Sequence, residues 1–474
     1  MVLQQNTKAA LWGWADAGEK ITITTSWNNK TVNVTADANG KWLTYVTTSK
    51  AGGPYNIQFK GSNQIVVDNV LLGEVWLAPG QSNMEFFVGK MRSASYTGVI
   101  NYEQEIKKAN YPNIRQIDVA NKNADEPQQD FKGNWKVCSP QTVDTFSAVA
   151  YYFAREIHKA TGYPVGIINS TWGGTAVESW MKKEVLENDS NFQRLINSYD
   201  EQVRKYPETL KDFETANTQW KQDNIKNKPT PPVKPNPNKS PFRLYNAMIA
   251  PLVPYTLKGI IWYQGENNAS RAYQYRRLFP AMIASWRSDF KNDKLPFYFV
   301  QISPHRSQNP EIREAQLLTY RAVPNTGMAV TTDNGDSLDI HPRNKKLVGE
   351  RLSLWALHNE YGKKNVYSGP LYKSMKVDGN KIRIRFDFVD EGLIAKDGQP
   401  LNEFTIAGED QNFVPAKATI EGDEVVVWGE QVSKPASVRF AWRNVPKPNL
   451  YNKAGLPASP FRTDNWKGMT EGKN

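Results

Sequence analysis

A single cysteine, Cys138, stands among 474 residues. No disulfide can close within the chain, so stability has to come from packing. Long apolar runs are missing too. Even the greasiest stretch, Met248 to Trp262, is broken by Pro251, Pro254 and Lys258, short of the roughly 18 apolar residues that a membrane-spanning helix needs. No block of five or six like charges occurs. Lys and Arg number 59 against 48 Asp and Glu, a net charge of +11, but the lysines are spread along the whole chain. The excess therefore reads as a solvated basic surface that steers anionic partners, not as a nucleic-acid site. Neither nucleic acid nor membrane is an expected partner. Met1 to Gln5 shows no basic, apolar or small-residue region of an export signal. The expectation is a secreted or periplasmic protein whose signal lies upstream of Met1, with a cytoplasmic start as the alternative.

Aromatic residues, by contrast, are plentiful at 12%, with 15 Trp and 21 Tyr, enough for a large core. The length suggests about three domains. Residues 1 to about 70 alternate at period two, as in Ile21-Thr22-Ile23-Thr24 and Val32-Asn33-Val34, the signature of short antiparallel strands. From 71 to 364 the text changes to apolar runs that end in polar or glycine-rich loops: Val75 to Ala78, Val165 to Asn169, Gly259 to Tyr263, Phe297 to Ile302 and Met328 to Thr332. Helical patterns separate them, including Phe146 to Ala160 before Gly162, Ala272 to Phe290, and Arg343 to Tyr361 with Pro342 as its first residue. Strands alternating with helices predict an α/β domain with a parallel sheet, whose ligands bind beyond the strands' C-terminal ends. Within it, 181 to about 241 reads as an insertion: a helical hairpin over 181–224, then an extended linker with Pro229, Pro231, Pro232, Pro235, Pro237 and Pro241. Residues 365 to 474 return to strands, as in Lys381 to Phe388 and Val425 to Trp428.

Four strand ends carry residues suited to chemistry. Gly80-Gln81-Ser82-Asn83-Met84 follows the first run, where a serine can present its hydroxyl at the sheet edge; an ordinary N-cap serine would look the same. Of His158, His305, His341 and His358, only His341 sits on a loop with acids close by, in Asp336-Ser337-Leu338-Asp339-Ile340-His341-Pro342. It is the candidate base, a helix cap being the alternative. Residues i and i+2 of an extended loop share a side, so Asp339 can reach the ring, with Asp336 and Asp333 as alternates. Donors for a tetrahedral oxyanion are offered by Ser170-Thr171-Trp172-Gly173-Gly174-Thr175 and by Gln264-Gly265-Glu266-Asn267-Asn268.

Together, Gly80 to Met84, Trp172 to Thr175, Trp262-Tyr263-Gln264-Gly265-Glu266 and Asp339-Ile340-His341-Pro342 resemble the sialate O-acetylesterases. These are a branch of the SGNH hydrolases related to carbohydrate esterase family 6, and the resemblance runs over nearly the whole chain. It implies an SGNH-type parallel sheet with flanking helices, plus an all-β, sandwich-like unit built from both terminal segments. It further implies Ser82 as nucleophile and His341 as base. The Ser82 backbone N–H, glycine from Gly173-Gly174 and an amide from the third block would serve as oxyanion donors; Gln264 is preferred over Asn267, with Glu266 beside them. The superfamily places its acid three residues before the histidine, where this chain has Leu338, so Asp339, another loop acid or a Ser-His dyad remain open. The implied reaction is cofactor-free and metal-free hydrolysis of an acetyl ester on a sugar or glycan. Acetyl xylan esterase is the alternative substrate class, and a non-catalytic carbohydrate-binding protein on an esterase scaffold is the alternative of another kind.

Overall fold

The computed structural model describes residues 1–91, 96–223, 229–232, 234–235 and 240–473. Its central strand, β1 (Gln64–Gly80), is buried at every residue from Val70 to Gly80. The strands β2 (Tyr111–Asp118), β3 (Trp135–Cys138), β4 (Val165–Thr171), β5 (Gly259–Trp262), β6 (Phe297–Gln301) and β7 (Thr326–Val330) complete the sheet in the order β7-β6-β5-β1-β4-β2-β3. Every pair along this path is parallel except β2 with β3. β4 to β7 are buried at every residue, as strands covered on both faces must be. Cover comes from two helix pairs: α1 (Ala148–Thr161) packs on α5 (Lys345–Tyr361), and α3 (Ala272–Asp289) on α4 (Pro310–Ala322). Trp262, fully buried at the end of β5, meets Trp180 and Trp286 edge-on. Such aromatic pairs add about 0.5–1.5 kcal/mol each beyond area burial and fix the strand end just before the third loop.

Two helix ends show how local chemistry sets boundaries. Ser147 caps α1 by accepting from the Ala150 N–H, and Gly162 closes it at φ 74°. For α5 the expected start at Pro342–Arg343 moves: the Asn344 side chain accepts from the Leu347 N–H, so Asn344 is the cap and Lys345 becomes the first helical residue. The predicted hairpin over 181–224 is instead a short helix, Lys183–Glu187, followed by one long helix, α2 (Ser190–Asp223), that contains Pro207. No glycine interrupts that stretch to turn the chain back, and i,i+4 pairs such as Glu201–Lys205 favour continuing the helix. Residues 229–232, 234 and 235 have no regular secondary structure; Pro237 lies outside the described residues.

The ends of the chain depart from expectation as well. The N-terminal strands close around Leu11, Ile23, Val46, Ile57 and Val70, the C-terminal ones around Ile384, Phe404, Val425, Phe440 and Phe461. The single terminal unit expected from both segments is therefore two separate cores. The physical reason is β1, which carries the N-terminal unit directly into the middle of the sheet. The C-terminal strands dock elsewhere, where Gln301 Nε2 donates to Ser459 Oγ (2.9 Å) and Tyr451 donates to Asp333 (3.1 Å). Among the described residues, no helix is long and apolar enough to cross a membrane.

Candidate active site

Register brings three loops to one level. Gly80 of β1 pairs with Thr171 of β4 and bridges Tyr263 after β5, so the residues that follow each strand leave the sheet side by side. Gly80 must be glycine here: its φ is 151°, and a Cβ would lie 2.3 Å from the Tyr263 carbonyl oxygen. The chain then makes one short turn of helix over Ser82–Glu85, with Gln81 in the capping position. Ser82 is thus not an N-cap. Its Oγ lies 2.9 Å from His341 Nε2, across 259 positions of sequence.

The acids around His341 differ in what they hold. Asp333 grips Arg351 through both oxygens (2.6 and 2.7 Å) and also accepts from Tyr451, so its bonds go to Arg351 and Tyr451, not to the imidazole. Asp336 accepts the Leu338 and Asp339 N–H groups and closes its own turn. Asp339 accepts the His341 backbone N–H at 2.8 Å, while its Oδ1 stands 3.7 Å from Nδ1, beyond hydrogen-bond range. The ring is largely buried, at 15% side-chain exposure. Burial above all, then the Lys345 cation, push its pKa down to about 4, with Asp339 opposing. A neutral imidazole at neutral pH is the state a general base requires.

Gly173 lies against Ser82: a Cβ there would stand 3.4 Å from Ser82 Cβ and 2.9 Å from Glu85 Oε2. Its N–H donates to Glu85 Oε2 (2.8 Å), which also accepts from Tyr96 Oη (2.7 Å). Burial raises the Glu85 pKa, and these two donors oppose the rise. Gly174 turns the loop at φ 72°. In the third loop the expected donor Gln264 is already engaged. Its Nε2 donates to the Thr175 carbonyl (3.2 Å) and to Asn268 Oδ1 (2.7 Å), while its Oε1 accepts from Tyr275 (3.1 Å). The Asn267 Nδ2 is buried without a partner.

Three features escaped the sequence reading. Asn83 Nδ2 donates to Glu266 Oε1 (2.5 Å) and to the Ile340 carbonyl (3.0 Å), while its Oδ1 accepts from Lys345. Lys345 is fully buried. The third is Tyr96, whose ring lies 5.8 Å from that of His341. One signal was readable for Lys345, a cation in the first turn of a helix, where the dipole disfavours it. Of the other histidines, His158 and His358 lie in α1 and α5, and His305 pairs with Ser307 (2.7 Å). Among the described residues no three His, Cys, Asp or Glu gather as in a metal centre.

The chain is similar to known proteins over most of its length. A family model described as carbohydrate esterase, sialic acid-specific acetylesterase, matches residues 72–225 and 235–357, more than half of the chain. Sialate O-acetylesterase of Rattus norvegicus is 30% identical over 97% of this chain and 92% of its own length; that of Homo sapiens is 27% identical over 97% and 90%. Among solved structures, XAC1771, a carbohydrate acetylesterase from Xanthomonas citri, superposes with a TM-score of 0.83 at 37% identity, covering 98% of this chain and 97% of that one. With its motifs on loops at one edge of the sheet and the family match over most of that sheet, the chain belongs to the sialic acid-specific acetylesterase family of carbohydrate esterases.

Proposed function

We propose that this protein hydrolyses O-acetyl esters of sialic acids through an acetyl-enzyme on Ser82. The observation that carries the reading is the 2.9 Å contact between Ser82 Oγ and His341 Nε2. In the reaction, Nε2 takes the hydroxyl proton as Oγ attacks the acetyl carbonyl. The imidazolium returns that proton to the departing sugar oxygen. Water, deprotonated by the same ring, then releases acetate and restores Ser82. Oxyanion charge is met by the Ser82 backbone N–H and by Asn267 Nδ2. Gly173 serves by lacking a side chain, since its N–H is held by Glu85. The anionic sugar is favoured by the net charge of +11 and by the names of the rat and human relatives. Acetate release measured across O-acetylated sialic acids and acetylated xylan oligomers is expected to be fastest on the sialic acids; faster release from xylan would contradict the substrate class.

Two further outcomes follow from the geometry. Protonation of His341 removes the base, so activity falls as pH drops through its pKa. With that pKa pushed down to about 4, kcat/KM on a neutral aryl acetate should hold steady from pH 7 to about pH 5. An acid limb near the ordinary imidazole value of about 6.5 would contradict it. Asp339→Asn should cost only about tenfold in kcat, because the carboxylate stands off Nδ1 and an asparagine still accepts the His341 backbone N–H; a loss near 10⁴ would mark a full triad.

A further inference from the structure

Lys345 is the most anomalous side chain near the reacting pair. It is fully buried and is the first residue of α5, where the helix dipole repels a cation. Its hydrogen bond goes to a neutral acceptor, Asn83 Oδ1, and its ammonium lies 4.7 Å above Phe86 and 5.6 Å above Tyr263. Burial holds its pKa down to about 7, with the Glu266 and Asp339 carboxylates pulling the other way. A methionine would fill this position without a desolvation cost. Placements that break local rules in this way concentrate at functional sites.

What the ammonium touches suggests its task. Asn83 directly follows the nucleophile, and its Nδ2 reaches the carbonyl of Ile340, the residue before the base, as well as Glu266 Oε1. One amide therefore ties the turn carrying Ser82 to the loop carrying His341, and only its Oδ1 end is left to be fixed. We propose that Lys345 is a positioning residue: by holding Asn83 Oδ1 it orients the amide that keeps the hydroxyl and the imidazole in register. The charged and titratable groups facing that imidazole are Lys345 from α5, Asp339 from its own loop and His305 from the loop after β6, with Tyr96 against its ring. Asp339 opposes Lys345, and His305 acts in the same direction as Lys345.

The inference rests on Ser82 and His341 being the reacting pair, and the full chain tests both. In Lys345→Met, turnover of an aryl acetate should fall about 10- to 100-fold with KM little changed, the loss that misplaced reacting groups produce. The acid limb of kcat/KM should move up by about one pH unit, since a like charge beside the ring is gone. Thermal stability should change little, since the relief from burying the ammonium is offset by the loss of its hydrogen bond to Asn83 Oδ1. Should that variant not fold, Lys345→Gln carries the same two kinetic readouts. Unchanged kcat together with an unchanged acid limb, in whichever variant folds, would overturn the role of Lys345. Failure of the unmodified protein to hydrolyse the ester would instead overturn the reading on which it rests.

Discussion

Ser82→Ala is expected to lower kcat on an aryl acetate by at least about 10⁴-fold, with an unchanged melting temperature. The size follows from the role: removing a serine nucleophile leaves only the acceleration supplied by oxyanion donors and binding. The unchanged stability follows from the surroundings. Ser82 Oγ is bonded to a side chain, His341 Nε2, not to the backbone of the short helix that follows, where Gln81 holds the capping position without a side-chain bond. Truncation therefore costs the fold no cap. A capping serine would behave in the opposite way, with stability lost and turnover kept. Circular-dichroism melting alongside initial rates separates the two.

The next largest effect concerns the third loop. Asn267→Ala should reduce kcat by about 10² to 10³, the range for loss of one oxyanion donor. Its Nδ2 is buried with no partner, and leaving such a group unmade costs about 1–3 kcal/mol, so the substitution should leave stability level or improved. Gln264→Ala should do the reverse. Its amide spans the Thr175 carbonyl, Asn268 and Tyr275, and its removal breaks all three bonds and leaves the Thr175 carbonyl without that donor, which lowers the melting temperature before it touches chemistry. Should Gln264→Ala remain fully stable yet lose 100-fold in kcat while Asn267→Ala is silent, the donor is Gln264.

The sheet and its reactive edge were legible in the sequence because they depend on a strong local contrast. A strand buried on both faces has to be apolar throughout, and its end has to become polar, so Ala78 to Ser82 and Ile168 to Gly173 read correctly without any knowledge of their neighbours. Ser82 was readable as a candidate for the same reason, since it follows such a switch directly, whereas His341 was singled out by its place on an acid-rich loop beyond the last strand of the sheet. What stayed hidden depends on contacts distant in sequence. Gln264 and Asn267 are both amides in one loop, and only the positions of Thr175 and Tyr275 decide which is occupied. The burial of Lys345 is likewise created by residues far along the chain, Phe86 and Tyr263. The two β units at the ends of the chain read alike, and nothing in their alternation shows that β1 runs on from one of them into the sheet.

In the proposed reaction a covalent acetyl group passes through Ser82. Rapid acid quench of the protein during turnover of an aryl acetate, followed by peptide mass spectrometry, measures it directly. The peptide containing Ser82 should carry an added acetyl group of about 42 Da, assigned by fragmentation to Ser82 and absent from Ser82→Ala. An acetyl group on a different side chain that forms and decays at the rate of turnover would contradict the account.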